Sequence, residues 1–192
     1  MLEWLEAVVG GSAALRQLVD GPVAEPEPMP ETDTVVQRRV EETDLLLRDV
    51  AADLVNDDFG RALRQGLRRV WADERDHLLR PRSPALLAAG VCWVVGKANG
   101  VFGSSGVVTQ ARVAEALGVA ALTAAGQPLR RVLADCWHSE PARPDMAPDL
   151  LLLGRPELLT ASTRRLLLRL RDRATAARDA SEGDVLPSKV ES

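Results

Sequence analysis

The chain is poor in the residue types that most binding and catalytic chemistry needs. It has no tyrosine, four tryptophans and two phenylalanines, so aromatics make up only 3% of its 192 residues. A core with so few rings rests on Leu, Val and Ala, which suits close-packed helices better than a sheet. Two cysteines, Cys92 and Cys136, are too few for a disulfide framework. With His77 and His138 they are the only soft metal ligands. Cys136-x-His138 is not a zinc spacing and Cys92 sits mid-segment among apolar residues, so neither a metal nor another cofactor is expected.

Other absences narrow the reading further. No apolar run approaches the length of a membrane span, and the N-terminus lacks a charged start followed by a short apolar stretch. A reducing, cytoplasmic setting with no membrane partner is therefore expected. There is no fixed-period repeat and no βαβ alternation, and without strands there is no Rossmann or hydrolase scaffold. Ser104-Ser105 have no general base at a recognisable spacing. Phe102-Gly103-Ser104-Ser105-Gly106 follows a helical segment and lacks the lysine of a phosphate loop. Neither an enzyme nor a small-molecule substrate is expected.

What is present is a globular composition, 46% hydrophobic and 27% charged, in a chain long enough to bury a proper core. The net charge is −4, but it is unevenly spread. Residues 1–60 hold 4 basic against 14 acidic residues, 61–140 hold 11 against 6, and 141–192 hold 9 against 8. The last two parts can meet phosphates; the first would repel them.

The apolar period is helical throughout. Residues 1–20 predict a helical arm, one broken helix or two short ones, interrupted at Gly10-Gly11. Residues 21–33 are proline-rich and acidic and read as a solvated linker, leaving the arm to dock loosely on the body or on a partner. Thr34 to about Val55 predicts a helix capped by Thr32 or Thr34. Asp57-Asp58 opens another, with Phe59, Leu63, Leu67, Val70, Trp71 and Leu78 on one face and Arg61, Arg64, Arg68, Arg69 and Arg75 on a solvated one. Ser83-Pro84 starts a helix and Asn99-Gly100 stops it. Only Lys97 is charged between them, so this helix is expected at the centre, with Gly90 and Gly96 admitting neighbouring helices. Thr109 caps a short helix from Gln110 to Leu117, Gly118 ends it, and a longer one follows towards Trp137. Pro128 is expected to kink that helix or make it restart near Gln127. After a proline-broken connection, Pro156 to about Ala180 forms a last helix. Residues 34–140 thus make a helical core, 141–180 a helical extension and 181–192 a disordered tail. The fold class is all-α, a single helical domain.

The order from Thr34 to Cys136 resembles the five-helix cyclin-type repeat, particularly that of general transcription factor B proteins. Arg82-Ser83-Pro84 to Ala88-Ala89 carries the likeness at the start of the central helix, and Thr109 to Val132 carries it as a helix-turn-helix-like pair. The chain is also similar to small bacterial domains of unknown function that combine such a buried helix with a helix-turn-helix. The resemblance implies a cyclin-like core around the central helix, with further helices at both ends. In a helix-turn-helix the second helix reads base edges from its first turns. Here those turns, Ala120 to Pro128, carry no charge.

The candidate nucleic-acid contacts are therefore Gln110, Arg112, Thr123, Gln127, Arg130 and Arg131, joined by Arg164, Arg165 and Arg169 on the last helix. Basic helix faces of this kind lie along phosphates and bind in a salt-dependent way. Two functions follow. One is a small DNA-associated regulator using a degenerate helix-turn-helix on double-stranded DNA. The other is a protein-interaction module that holds a protein partner or a second copy.

Overall fold

The computed structural model describes residues 1–30, 33–102, 106–135 and 141–183. Thr32, Ser104, Ser105, Cys136, His138 and the tail from residue 184 lie outside the described residues. Among the described residues every regular element is helical. The helices are α1 (Leu2–Val9), α2 (Ser12–Gln17), α3 (Thr34–Leu54), α4 (Asp57–Asp73), α5 (Asp76–Leu79), α6 (Pro84–Ala98), α7 (Gln110–Ala116), α8 (Leu122–Leu133) and α9 (Ala161–Gly183), with a 3-10 turn at Pro156–Leu158.

α6 is the axis of the domain. Ser83 caps it, its hydroxyl accepting from Leu86 N at 3.2 Å, with Pro84 in the first turn. Every residue from Leu87 to Gly96 is buried, so α3, α4, α7 and α8 must all pack around it. The tightest crossing is with α8. A Cβ on Gly90 would stand 2.7 Å from both Ala125 O and Leu129 Cδ1, and one on Gly126 would stand 2.6 Å from Trp93 Cδ2. Only glycine lets the two backbones approach this closely. Gly96 does not face a neighbouring helix as expected; the ring of Phe102 fills that place.

The ends of the chain depart most from the sequence reading. The arm is not loosely docked. Trp4, Leu5, Val8, Val9 and Leu15 are buried with Leu159, Leu167 and Leu170 in a second apolar cluster between α1, α2 and α9. Nor is the linker free. Val23 is buried and its N–H donates to Asp58 Oδ1 at 2.7 Å. Glu25 pairs with Arg64, and Glu27 pairs with Arg68 at 2.7 Å. Two residues of extended proline-rich chain and four of helix both advance about 6 Å, so alternate glutamates meet successive arginines of α4 in register. Arg64 and Arg68 are a clamp and not a purely solvated face.

Local corrections follow from capping. Asp33 caps α3, accepting from Val35 N at 2.8 Å and Val36 N at 3.2 Å. Asn56 caps α4, which ends at Asp73, so Leu78 belongs to the separate turn α5. Residues 156–158 form only a 3-10 turn; α9 begins at Ala161 and continues past Ala180 to Gly183. What starts α9 is remote in sequence: Asp58 Oδ2 accepts from Ala161 N at 2.7 Å.

Asp58 thereby joins the linker, α4 and α9, and it begins a run of alternating charges. Arg61 pairs with it at 3.2 Å, and Arg164 feels both Asp58 and Glu157. Arg69 lies 3.2 Å from Glu157. Arg155, only 5% exposed, holds Asp73 at 2.9 Å, Asp135 at 2.7 Å and Leu133 O at 2.9 Å. A buried guanidinium needs such partners to offset its desolvation. Burial alone would raise the Asp58 carboxyl, but the N–H groups of Ala161 and Val23, with Arg61, bring it below its ordinary value.

Replacing Gly126 with Ala is expected to displace Trp93 and cost about 1–3 kcal/mol, read by urea denaturation; an unchanged midpoint contradicts the crossing. Because the folded Asp58 titrates below an unfolded one (about 3.9), its contribution is complete above that value and is lost as pH falls from there through the folded one. Asp58→Asn should therefore lose about 1–3 kcal/mol at neutral pH and flatten the acid limb of the stability curve; equal acid limbs contradict the role given to Asp58.

Candidate functional site

α7 and α8 meet through Leu117 to Ala121. Thr109 caps α7, its hydroxyl accepting from Arg112 N at 3.3 Å. The helix closes with Val119 N on Ala114 O at 2.9 Å and Gly118 at φ 64°, a left-handed turn that favours glycine. Val113 and Ala114 from α7, Leu117 at its C-terminal cap, and Leu122, Leu129, Val132 and Leu133 from α8 face the core. This burial, with the Gly90–Gly126 crossing, sets the rotation of α8 about its axis.

The exposed part of α8 is consequently divided into two ridges. Thr123, Gln127 and Arg131 recur every four residues on one, all exposed, with half-exposed Arg130 beside them. Ala121, Ala124, Ala125 and Pro128 form the other, turned towards α5 and the start of α6. Pro128 does not restart the helix; α8 runs through it from Leu122 to Leu133. The reason is its place. The donor it lacks would have served Ala124 O, and Ala124 is exposed, so no buried carbonyl is abandoned.

Between the apolar ridge and α5 lies a cavity of about 440 Å³, walled by His77, Arg80, Pro81 and Leu86 on one side and the alanines with Pro128 and Leu129 on the other. A second cavity of about 490 Å³ shares His77, Arg80, Ala124 and Pro128 with it and continues along Gln127, Arg130 and Arg131. The two form one groove that follows α8 for roughly 15 Å by helical rise. On the α8 side the first cavity is lined by Ala120, Ala121, Ala124, Ala125, Pro128 and Leu129. His77 is buried in the wall; its Nε2 accepts from Arg80 Nη1 at 2.9 Å, and its Nδ1 lies 2.9 Å from the Glu74 carboxylate. A guanidinium only donates, so His77 Nε2 is the acceptor, while Nδ1 faces the carboxylate without hydrogen-bond geometry.

The candidate contacts named from sequence are only partly gathered. Thr123 Oγ1 donates to Gln110 Oε1 at 3.2 Å, joining the first turns of α7 and α8. Arg112 is turned to Glu115 at 2.9 Å. Arg130 and Arg131 lie along the groove and are engaged by neighbouring groups. The α9 arginines belong to another packing neighbourhood: α9 rests on α1, whereas α8 rests on α4, α6 and α7. Arg164 is half-buried and donates to Pro156 O at 3.0 Å, and burial pushes its guanidinium below its ordinary value against the pull of Asp58 and Glu157. Arg165 reaches towards Asp20 at 4.0 Å, and Arg169 is exposed.

The groove contains residues that nothing local in the sequence marks, above all His77, Arg80 and Leu86. They are some forty residues from α8, and the one clue is the uncharged run Ala120 to Pro128. Cys92 is buried in α6, which pushes its thiol up to about 12 and keeps it protonated and unreactive. Among the described residues no three His, Cys, Asp or Glu side chains converge as a metal site, and no helix is long and apolar enough to cross a membrane. No protein-family model, curated protein or solved structure matches the chain.

Since Ala124 is exposed and the groove is open, Ala124→Trp should fold with unchanged helicity and stability within about 0.5 kcal/mol, while the added indole reports an apolar setting by blue-shifted emission. Emission typical of free solvent would show that no groove exists there.

Proposed function

We propose that this chain is a non-enzymatic interaction module that seats a helical segment of a partner protein along α8. One observation carries the reading: a folded surface that leaves Ala121, Ala124 and Pro128 open to solvent in a groove as long as three helical turns. Apolar side chains of a partner helix, spaced at successive turns, would fill such a floor and supply the bulk that alanine lacks. The resemblance of the sequence to cyclin-type repeats is compatible with this reading, because one helical architecture can serve protein binding as well as DNA binding. The test is selection of helical peptides from a displayed random library. Amphipathic helices should be enriched, binding with micromolar Kd and losing at least about tenfold on Ala124→Trp. No enrichment, or binding indifferent to that substitution, contradicts the proposal.

The polar ridge favours a second reading as a DNA-associated regulator. Thr123, Gln127 and Arg131 stand on one exposed line of α8, where a major-groove helix carries its contacts. Against it, α9 draws Arg164 and Arg165 into contacts with its own fold, and each phosphate contact missing from the surface lowers affinity. Double-stranded DNA in a mobility-shift titration at about 50 mM salt decides this reading: a shift abolished by Gln127→Ala with Arg131→Ala supports it, and no shift removes it.

A further inference from the structure

The face between α3 and α4 is a second recognition surface, separate from the α8 groove, and its occupant is visible. We infer that this face is a groove for an acidic, proline-rich extended segment of a partner protein, and that residues 21–30 sit there as an exchangeable stand-in. Pro22, Pro26, Pro28 and Pro30 hold the stretch extended. Its burial repeats every third residue: Val23 is buried, Pro26 and Met29 are half-buried, and the residues between them are exposed. Three residues per turn is the period of a polyproline II helix. Such a segment is ordered before it docks, so binding costs it little further freedom.

Two arginines read the segment, each in its own way. Arg64 is aimed beforehand: Asp44 accepts from its Nε at 2.9 Å, which leaves Nη1 to Glu25. Arg68 donates twice to one residue, from Nη2 to the Glu27 carboxylate at 2.7 Å and from Nη1 to Glu27 O at 3.0 Å. A planar fork thus fixes both the backbone position and the side-chain length of that glutamate, which a lysine could not do. Neighbouring charges are satisfied within the face. Arg48 pairs with Asp44 at 2.6 Å, and Glu41 accepts from Gln37 at 2.8 Å.

The hold on residues 21–30 is of the kind that exchanges. Proline has no N–H, and among the described residues the main chain of this stretch makes two hydrogen bonds to the bundle. These are Val23 N to Asp58 Oδ1 and Glu27 O from Arg68. The side chains of Glu25 and Glu27 stay 63% and 81% exposed, and ion pairs so open to water yield readily to a competitor. A cavity of about 480 Å³ also lies between the segment and the two helices, lined by Pro26, Pro28, Met29, Gln37 and Val40 among others. A partner segment with a larger apolar side chain at the register of Pro26 or Met29 would enter that space. It would gain contacts that the tethered segment lacks, which offsets the advantage of the tether.

The experiment uses the full chain and three labelled peptides of the sequence Gly21 to Pro30. One is unaltered, one has Gln at both glutamate positions, and one has Lys at the position of Glu27. In the variant Glu25→Lys with Glu27→Lys, the new lysines repel Arg64 and Arg68 and free the face, and helicity by circular dichroism should be unchanged. Fluorescence anisotropy is expected to show the unaltered peptide binding this variant at least about tenfold tighter than it binds the unaltered chain, and about tenfold tighter than the Gln peptide binds. In Arg68→Glu, where Glu27 of the chain is repelled instead, the order should reverse in favour of the Lys peptide. Absence of binding to the opened variant, or loss of its helicity, would make residues 21–30 a fixed part of the fold and overturn the inference. Equal binding of the unaltered and Gln peptides overturns the acidic requirement. A dimer of the unaltered chain that Arg68→Glu abolishes would make the occupant a second copy and overturn a separate partner.

Discussion

The crossing of α6 and α8 at Gly90 and Gly126 is the contact on which the rest of the molecule depends. α6 is apolar on every side, so it folds only if enclosed, and the bundle exists to enclose it. Two glycines facing each other's backbone and ring neighbours bring α8 closer than side chains would permit. That closeness buries Leu129 and Val132 and turns Ala121, Ala124 and Pro128 outward. A stability requirement at the centre thus decides which residues reach the surface.

A second constraint holds the two ends of the chain to this bundle. The arm and α9 share an apolar cluster of their own, and the seam beside it is crossed by alternating charges from Asp58 to Asp135. Apolar contact supplies most of the adhesion. The buried Arg155 and the half-buried Asp58 set the register of the ionic run, because either left unpaired there would be costly. The exposed glutamates of the linker contribute little each; Val23 holds that segment more firmly.

How much of this is legible in the sequence depends on whether the cause is local. The boundaries of α6 and α7 are written in Ser83-Pro84, Asn99-Gly100 and Thr109, and the enclosed character of α6 follows from its composition. The start of α9 is not legible, because its acceptor, Asp58, is 103 residues away. The docked linker is hidden by its own composition, since a proline-rich acidic segment looks solvated until the spacing of Arg64 and Arg68 is placed against it. Pro128 misleads for a different reason: it lacks the N–H that would serve Ala124 O, but Ala124 is an exposed residue and the helix continues through the proline. The candidate site is the least legible part. Its neutral helix face is visible in the sequence, but the wall of His77, Arg80 and Leu86 comes from elements that meet it only in three dimensions.

The proposed function rests on which face of α8 is outward, and nuclear Overhauser contacts in isotopically labelled protein measure that face directly. The Gly90 Hα should be close to the Leu129 methyls and the Gly126 Hα to the Trp93 ring, while the Ala124 methyl and Pro128 ring show contacts only to groove neighbours such as Arg80 and Leu86. Strong contacts from Ala124 or Pro128 to buried α6 residues, with Gly126 free of Trp93, would mean that α8 is rotated and that no apolar groove faces solvent.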